Sequence, residues 1–94
     1  MYIMKKFIKV QAIFDCDGNL MPELIIWDNK QRFSIERVTD IRYTDNPGAE
    51  EPELRFTCVI LGREKYVYYS KSRWYVDAKS SRQELSGASY TILN

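Results

Sequence analysis

The stretch LRFTCVILGREKYVYY, residues 54–69, is the centre of the fold that this sequence predicts. Two segments rich in β-branched and aromatic residues flank Gly62-Arg63-Glu64-Lys65, a run suited to a tight turn, and this is the pattern of a β-hairpin. The other apolar segments are short enough to be further strands beside this hairpin. The sequence therefore predicts an all-β protein.

Outward from the hairpin, four more strands are predicted at residues 5–14, 21–28, 32–43 and 73–76. The segments between them carry Asp, Asn, Gly, Pro and Ser, which favour turns and loops. Six short strands in sequence predict an antiparallel meander. Because strand twist accumulates and closure hides sheet edges, we expect the meander to curl into a small SH3-like barrel.

Two strands carry detailed predictions. In the first strand, alternation makes Ile8, Val10, Ala12 and Phe14 the buried set. In the third strand Val38 breaks the two-residue period, which predicts a bulge or bend near residues 36–37. A helix over residues 35–43 is the alternative.

The composition divides the chain into a single β-barrel domain, residues 1–77, and a tail, residues 78–94. In the tail, Ser81 and Glu84 fit a capping box and Gly87 could end a helix of one or two turns. A stub strand at residues 90–93 and a frayed end are the alternatives.

Charge and cysteine content restrict the class of protein. The formal net charge of +1 argues against a uniformly basic nucleic-acid binder. The charge is nevertheless uneven, with −3 over residues 40–55 and +4 over residues 63–82. With two cysteines, no CxxC motif and no apolar run after Lys5-Lys6, the sequence predicts a reduced, cytoplasmic protein without a membrane span.

Several chemistries lack the residues that they need. The chain has no histidine, which removes the commonest general base, the Ser/His and Cys/His nucleophile pairs, and imidazole metal sites. Asp15-Cys16-Asp17-Gly18-Asn19 departs from the spacing of a calcium loop and is interpreted as a hairpin turn. The glycines are isolated, so no phosphate loop exists. We therefore predict no enzyme activity, no catalytic residues, no metal and no cofactor.

Aromatic and basic residues alternate in the strands on both sides of residue 71. Alternation puts Tyr66 and Tyr68 on one face of the sheet, with Val67 and Tyr69 on the other. It likewise separates Tyr75 from Trp74. The candidate binding residues are Lys65, Tyr66, Tyr68, Tyr69, Lys71, Arg73, Trp74 and Tyr75.

Three interpretations of these aromatic residues stay open. They could be cross-strand pairs that hold the sheet, a hot spot for a protein partner, or a platform on which single-stranded bases stack. The leading hypothesis is a non-catalytic protein-interaction module. Sequence-tolerant binding of single-stranded nucleic acid by the same surface is the alternative.

One pattern resembles a known group. It runs from Trp27 through KQRFSI (residues 30–35), LRFTC (54–58) and YVYY (66–69) to RWYV (73–76). It resembles small uncharacterised bacterial β-domain proteins of Firmicutes type. It is more distantly similar to a β domain associated with Y-family translesion DNA polymerases. The resemblance covers residues 17–76 and implies the fold, with an accessory role in DNA damage tolerance; residues 45–53 and the tail depart from it.

An open sheet edge would let a second copy of the chain pair with the first. The strand that holds Pro22 and the short strand at residues 73–76 are the predicted edges, because proline cannot donate to a strand ladder.

Overall fold

In the computed structural model, residues 2–45, 51–80 and 90–92 are described, and all regular structure among them is β-strand. The strands are β1 (Tyr2–Phe14), β2 (Leu20–Ile26), β3 (Arg32–Ser34), β4 (Arg37–Thr44), β5 (Glu53–Ile60), β6 (Arg63–Ser70), β7 (Arg73–Ser80) and β8 (Tyr90–Ile92). No segment of this described part is a helix of the length and hydropathy that crossing a membrane requires.

All the strand pairs are antiparallel, which confirms the all-β prediction. Seven strands follow the order β3-β2-β1-β7-β6-β5-β4, and the short β8 pairs with β7. The predicted number of six is wrong. What was predicted as one strand over residues 32–43 is divided into β3 and β4, and the stub strand considered for residues 90–93 is present as β8.

The sheet curls into a half-barrel because two segments each form hydrogen bonds to two different strands. β1 pairs with β7 up to Ile8 and with β2 from Lys9 onward. Between β3 and β4, the amide of Ile35 donates to the Glu23 carbonyl at 2.9 Å and that of Glu36 to the Val59 carbonyl at 2.8 Å. The two ends of the strand order are therefore joined by consecutive residues.

Two irregularities interrupt the regular strand pairing of this curled sheet. The β4–β5 register passes from Val38–Cys58 to Asp40–Thr57 and leaves Thr39 without an opposite residue on β5, which is a β-bulge. The predicted irregularity in this segment is confirmed as a strand break at residues 35–36 and a bulge three residues later. The alternative of a helix over residues 35–43 is wrong, because β4 occupies this segment.

The second irregularity lies beside Pro22. The β1–β2 register passes from Gln11–Leu24 to Ala12–Pro22, and Glu23 is the extra residue. Proline has no amide hydrogen to donate and is tolerated at such a bulge. This part of β2 pairs with β1 alone, whereas residues 24–26 also pair with β3.

Two tight turns have backbone conformations that the sequence signals only weakly. Leu61 (φ 51°) and Gly62 (φ 75°) connect β5 to β6, and Lys71 (φ 52°) and Ser72 (φ 64°) connect β6 to β7. Positive φ at both central residues matches the twist of the flanking strands. The turn was predicted at residues 62–65, but residues 63–65 belong to β6.

The core lies between the β5–β6–β7 side of the sheet and the strands β2 and β3. Its fully buried members are Ile25, Phe56, Cys58, Val67 and Val76, and Ile8, Val10, Phe33 and Trp74 pack against it. The prediction for β1 is confirmed for Ile8 and Val10. It is wrong for Phe14, which is 72% exposed because it lies at the end of the β1–β2 hairpin, away from the core.

The predicted edge strand at residues 73–76 is not an edge. Trp74 and Tyr75 pair with β1 on one side and with β6 on the other. The helix considered for the tail, with Ser81, Glu84 and Gly87, lies outside the described residues.

Candidate functional site

The candidate binding residues are divided between two faces of the sheet. Leu54–Tyr69 and Phe56–Val67 are cross-strand pairs on the core face, whereas Arg55–Tyr68 and Thr57–Tyr66 are pairs on the opposite face. The alternation predicted for β6 is therefore confirmed. It separates residues that the sequence had grouped into one site.

Three of the candidate residues lie on the core side. Tyr69 and Trp74 pack against the core with their ring centroids 4.8 Å apart, and Trp74 lies 5.3 Å from Phe56. Lys65 pairs with the buried Cys58, on this same side, and lines a depression of about 250 Å³ with Phe33 and Ile60. Lys71 is part of the β6–β7 turn.

The remaining candidates, Tyr66, Tyr68, Arg73 and Tyr75, lie on the opposite side. There the rings form a continuous row across β1, β7 and β6. Phe7 meets Tyr75 edge to face at 5.9 Å, Tyr75 stacks on Tyr68 at 4.9 Å and 10°, and Tyr68 meets Tyr66 at 6.4 Å. We call this row, with the adjoining Arg55 and Arg73, the aromatic face.

Cationic side chains lie over these rings. The Arg73 guanidinium is 3.5 Å from the centre of the Phe7 ring, and that of Arg55 is 4.4 Å from the Tyr66 ring. The Lys5 ammonium is 4.7 Å from the Tyr75 ring. Cations at this distance are attracted by the ring quadrupole and hold the rings in place. Each ring of the row is thus supported by a ring or a cation from a neighbouring strand.

A buried carboxylate anchors one side of the aromatic face. Glu53 is 5% exposed. Its carboxylate accepts a hydrogen bond from the Tyr75 hydroxyl and forms an ion pair with Lys5, whose Nζ lies 3.3 Å from Oε1. A buried charge is tolerated only when it is paired and hydrogen-bonded. Glu53 therefore fixes the orientation of the Tyr75 ring and of Lys5 together.

The curling of the sheet brings five strands to one depression beside Glu53. The depression has a volume of about 210 Å³ and is lined by Lys5, Thr44, Glu53, Tyr68, Tyr75 and Asp77. Burial, together with the nearby Asp77 carboxylate, raises the pKa of Tyr68 to about 12. The Tyr68 hydroxyl is therefore neutral, and able to donate a hydrogen bond, at physiological pH.

Sequence reasoning did not include Lys5, Phe7, Glu53 or Arg55 in the site. These residues lie on β1 and β5, and they join the aromatic face through cross-strand register, which is a tertiary property. Alternation in β5 does give one signal. Arg55 has the parity of Glu53 and opposite parity to the apolar Leu54 and Phe56, which places both charged residues on one face.

The Asp15 segment is a hairpin turn, as predicted. The Asp15 carboxylate accepts hydrogen bonds from the amides of Asp17 at 2.9 Å and Asn19 at 2.8 Å, and the bond from Asn19 is the main cause of its lowered pKa. No group of three or more acidic or cysteine side chains that could hold a metal ion is present among the described residues.

The fold and the site thus define a small antiparallel β-protein with an aromatic face. Comparison of the chain with protein-family models, curated proteins and solved structures finds no match in any of the three.

Proposed function

We propose that this protein is a non-catalytic interaction module that binds a protein partner through the aromatic face. The observation that carries the proposal is the supported row of rings, which presents Phe7, 44% exposed, beside Arg73 and the half-buried Tyr66 and Tyr68. Tyrosine and arginine are enriched in binding hot spots, and rigid rings lose little conformational entropy on binding.

The charges on this surface favour a protein over a polyphosphate. The cations at this surface, Lys5, Arg55 and Arg73, each lie over a ring, and the carboxylates of Glu53 and Asp77 lie beside them. Nucleic-acid binding gains its affinity from cations that neutralise several phosphates. A mixed-charge aromatic surface is better suited to the centre of a protein interface.

The absence of histidine from the chain supports a non-catalytic role. The buried Glu53 carboxylate supports it as well, because Tyr75 and Lys5 occupy it as structural partners. An enzyme would be indicated by a reproducible activity that the Glu53→Gln or Asp77→Asn substitution abolishes.

The proposal is tested by site-specific photo-crosslinking in cells. A benzophenone amino acid is placed at Phe7 or at Tyr66 in the aromatic face, and in a matched control at Phe14, which is exposed but lies at the end of the β1–β2 hairpin. We expect a defined crosslinked protein from both aromatic-face positions and not from the control. Equal crosslinking at all three positions, or none at any, contradicts the proposal.

Binding of single-stranded nucleic acid by the same surface is the second candidate. It is favoured by one observation, the guanidinium of Arg73 stacked over Phe7 next to a row of tyrosine rings, an arrangement on which bases could also stack. A labelled oligonucleotide is titrated at low and moderate salt with wild type, Arg73→Ala and Lys65→Ala. Lys65 lies on the other side of the sheet and is the matched control.

Salt-sensitive binding that Arg73→Ala removes and Lys65→Ala retains would replace the protein-partner proposal with the nucleic-acid one. Absence of binding at low salt excludes the nucleic-acid candidate.

The resemblance to a translesion-polymerase-associated β domain extends the proposal to an accessory role in DNA damage tolerance, in a cytoplasmic protein with an SH3-like barrel. The passage of β1 between β7 and β2, and the direct connection of β3 to β4, support the barrel comparison. A Y-family polymerase among the crosslinked proteins would support the role. A partner unrelated to DNA repair would overturn it.

A further inference from the structure

The last strand of the sheet order, β4, has one side that no other strand covers in the described part of the chain. Residues 37–44 pair with β5 over the whole strand, and no second pairing of β4 exists among residues 2–45, 51–80 and 90–92. The uncovered side presents a row of backbone amides and carbonyls, which is a template for another strand.

On its core side, this edge strand leaves two large hydrophobic side chains exposed. Ile41 and Tyr43 pair with Phe56 and Leu54, two members of the core side, yet they are 43% and 72% exposed. Many natural edge strands carry proline or inward-pointing charge at such positions. The edge therefore offers both a hydrogen-bonding template and an apolar surface to cover.

The charges on β4 select a second copy of the same strand as its partner. In an antiparallel pair related by a two-fold axis perpendicular to the sheet, core-side residues face core-side residues, so one residue pairs with itself. An axis at Asp40 or Arg42 would place identical charges opposite each other. An axis at Ile41 instead places Asp40 of each copy opposite Arg42 of the other copy, which gives two oppositely charged pairs.

The two side chains are already complementary within one chain. Arg42 Nε lies 2.6 Å from Asp40 Oδ2, which shows that both project to the same face and can form an ion pair there. The Arg42 contact is the main cause of the lowered pKa of Asp40, which keeps the carboxylate charged. We propose that two copies pair through β4, antiparallel, with the axis at Ile41, to form one continuous sheet.

Such a strand pair is smaller than a standard protein interface of about 1,600 Å². We therefore expect a dimer in measurable exchange with monomer, detected by sedimentation of the full chain over a concentration series up to the millimolar range. A wild-type chain that stays monomeric over the whole range overturns the proposal.

Charge reversal tests the register. Asp40→Arg and Arg42→Asp each create two like-charged pairs across the axis, and each alone should weaken dimerisation about tenfold or more. An equimolar mixture of the two variants restores opposite charges at both positions and should dimerise as well as the wild type. The matched control Lys9→Asp, an exposed lysine on β1, should leave dimerisation unchanged.

Failure of the mixture to recover, or dimerisation by either single variant at wild-type strength, overturns the register. A second measurement does not depend on these variants. In a Cys16→Ser background, Ile41→Cys should form a disulfide-linked dimer under mild oxidation faster than Tyr43→Cys, because only position 41 lies on the axis. An equal rate for the two variants contradicts the proposed pairing.

Discussion

At the residue scale, Glu53 shows how a charged side chain becomes structural. Only 6% of its side chain is exposed, and its oxygens are engaged by the Tyr75 hydroxyl and by Lys5, which come from two other strands. The Glu53 side chain therefore links β1, β5 and β7, and its removal should disturb the aromatic face as well as lower the stability of the fold.

Tyr75→Phe tests the hydrogen bond between the Tyr75 hydroxyl and Glu53. The substitution keeps the ring contacts with Phe7 and Tyr68 but removes the hydrogen bond to a buried carboxylate, so we expect the free energy of unfolding to fall by about 1–3 kcal/mol. Urea denaturation measures the change. Tyr43→Phe, at a side chain that is 72% exposed, is the control and should change it little. Equal effects of the two substitutions would show that the hydrogen bond contributes nothing.

The buried Cys58 should make the stability of the fold sensitive to alkaline pH. Burial raises the pKa of the Cys58 thiol from 9.0 to about 12. In the unfolded chain the Cys58 thiol ionises near its ordinary pKa, so its contribution to stability is intact below pH 9 and is lost as the pH rises towards 12. In Cys58→Ala we therefore expect a shallower loss of stability over this range than in wild type.

The measurement is the urea midpoint of both proteins between pH 9 and 11. Cys16→Ala is the control and should retain the wild-type slope. Parallel curves for wild type and Cys58→Ala would contradict the assignment of this pH dependence to the buried thiol.

At the element scale, the β5–β6 turn carries a residue that is poorly suited to its backbone. Leu61 has φ of 51° and is 79% exposed, so it gains little from burial while adopting a conformation that favours Asn or Gly. The next position, Gly62, has φ of 75° and open space around a potential Cβ. Substitutions at these two positions should therefore act mainly through the backbone conformation.

Leu61→Asn should raise the free energy of unfolding by about 0.5–1 kcal/mol, because Asn-Gly is the preferred pair for this turn. Gly62→Ala should lower it by about 1 kcal/mol, because alanine tolerates positive φ poorly. Thermal or urea unfolding of the two variants gives opposite shifts if the backbone conformation is the cause. Shifts of the same sign would reject this explanation.

The element scale also shows what could be predicted from sequence. Alternation in β6 correctly separated Val67 and Tyr69 from Tyr66 and Tyr68, because a two-residue period is a local property. The same parity places Lys65 with Val67, so its position on the core side was available from the sequence. The turn was placed wrongly because Leu61 is not a residue that signals positive φ.

Other features required tertiary information. Phe14 continues the alternation of Ile8 and Val10, but the hairpin that holds it extends beyond the core, which no local pattern reveals. The partners of Tyr75, which are Phe7 and Glu53, are more than 20 positions away in sequence and are brought together only by the β1–β7 register and the curling of the sheet.

At the scale of the whole molecule, the core depends on few large side chains. Phe56 is fully buried, pairs with Val67 in the β5–β6 ladder, and has its ring centroid 5.3 Å from that of Trp74. A chain of this size has a net stability of about 5–10 kcal/mol, so the loss of one central ring is a large fraction of the total.

Phe56→Ala should destabilise the protein by about 3–5 kcal/mol and lower its melting temperature steeply. Ile13→Ala, at a 45% exposed position near the end of the β1–β2 hairpin, should have a far smaller effect. Calorimetry of both variants tests whether stability is concentrated in the β5–β6–β7 part of the sheet. Comparable losses would show that the hairpin contributes equally.

β1 pairs with β7 in its first half and with β2 in its second half, and this arrangement has a consequence for the folding kinetics. Tyr2 pairs with Ser80 and Ile8 with Trp74, so this half of β1 meets its partner only after most of the chain has been arranged. The loop-closure entropy of such a distant contact opposes early formation, whereas the β1–β2, β5–β6 and β6–β7 hairpins close locally. We therefore expect refolding in milliseconds to seconds, with the hairpins first and the β1–β7 ladder as the final step.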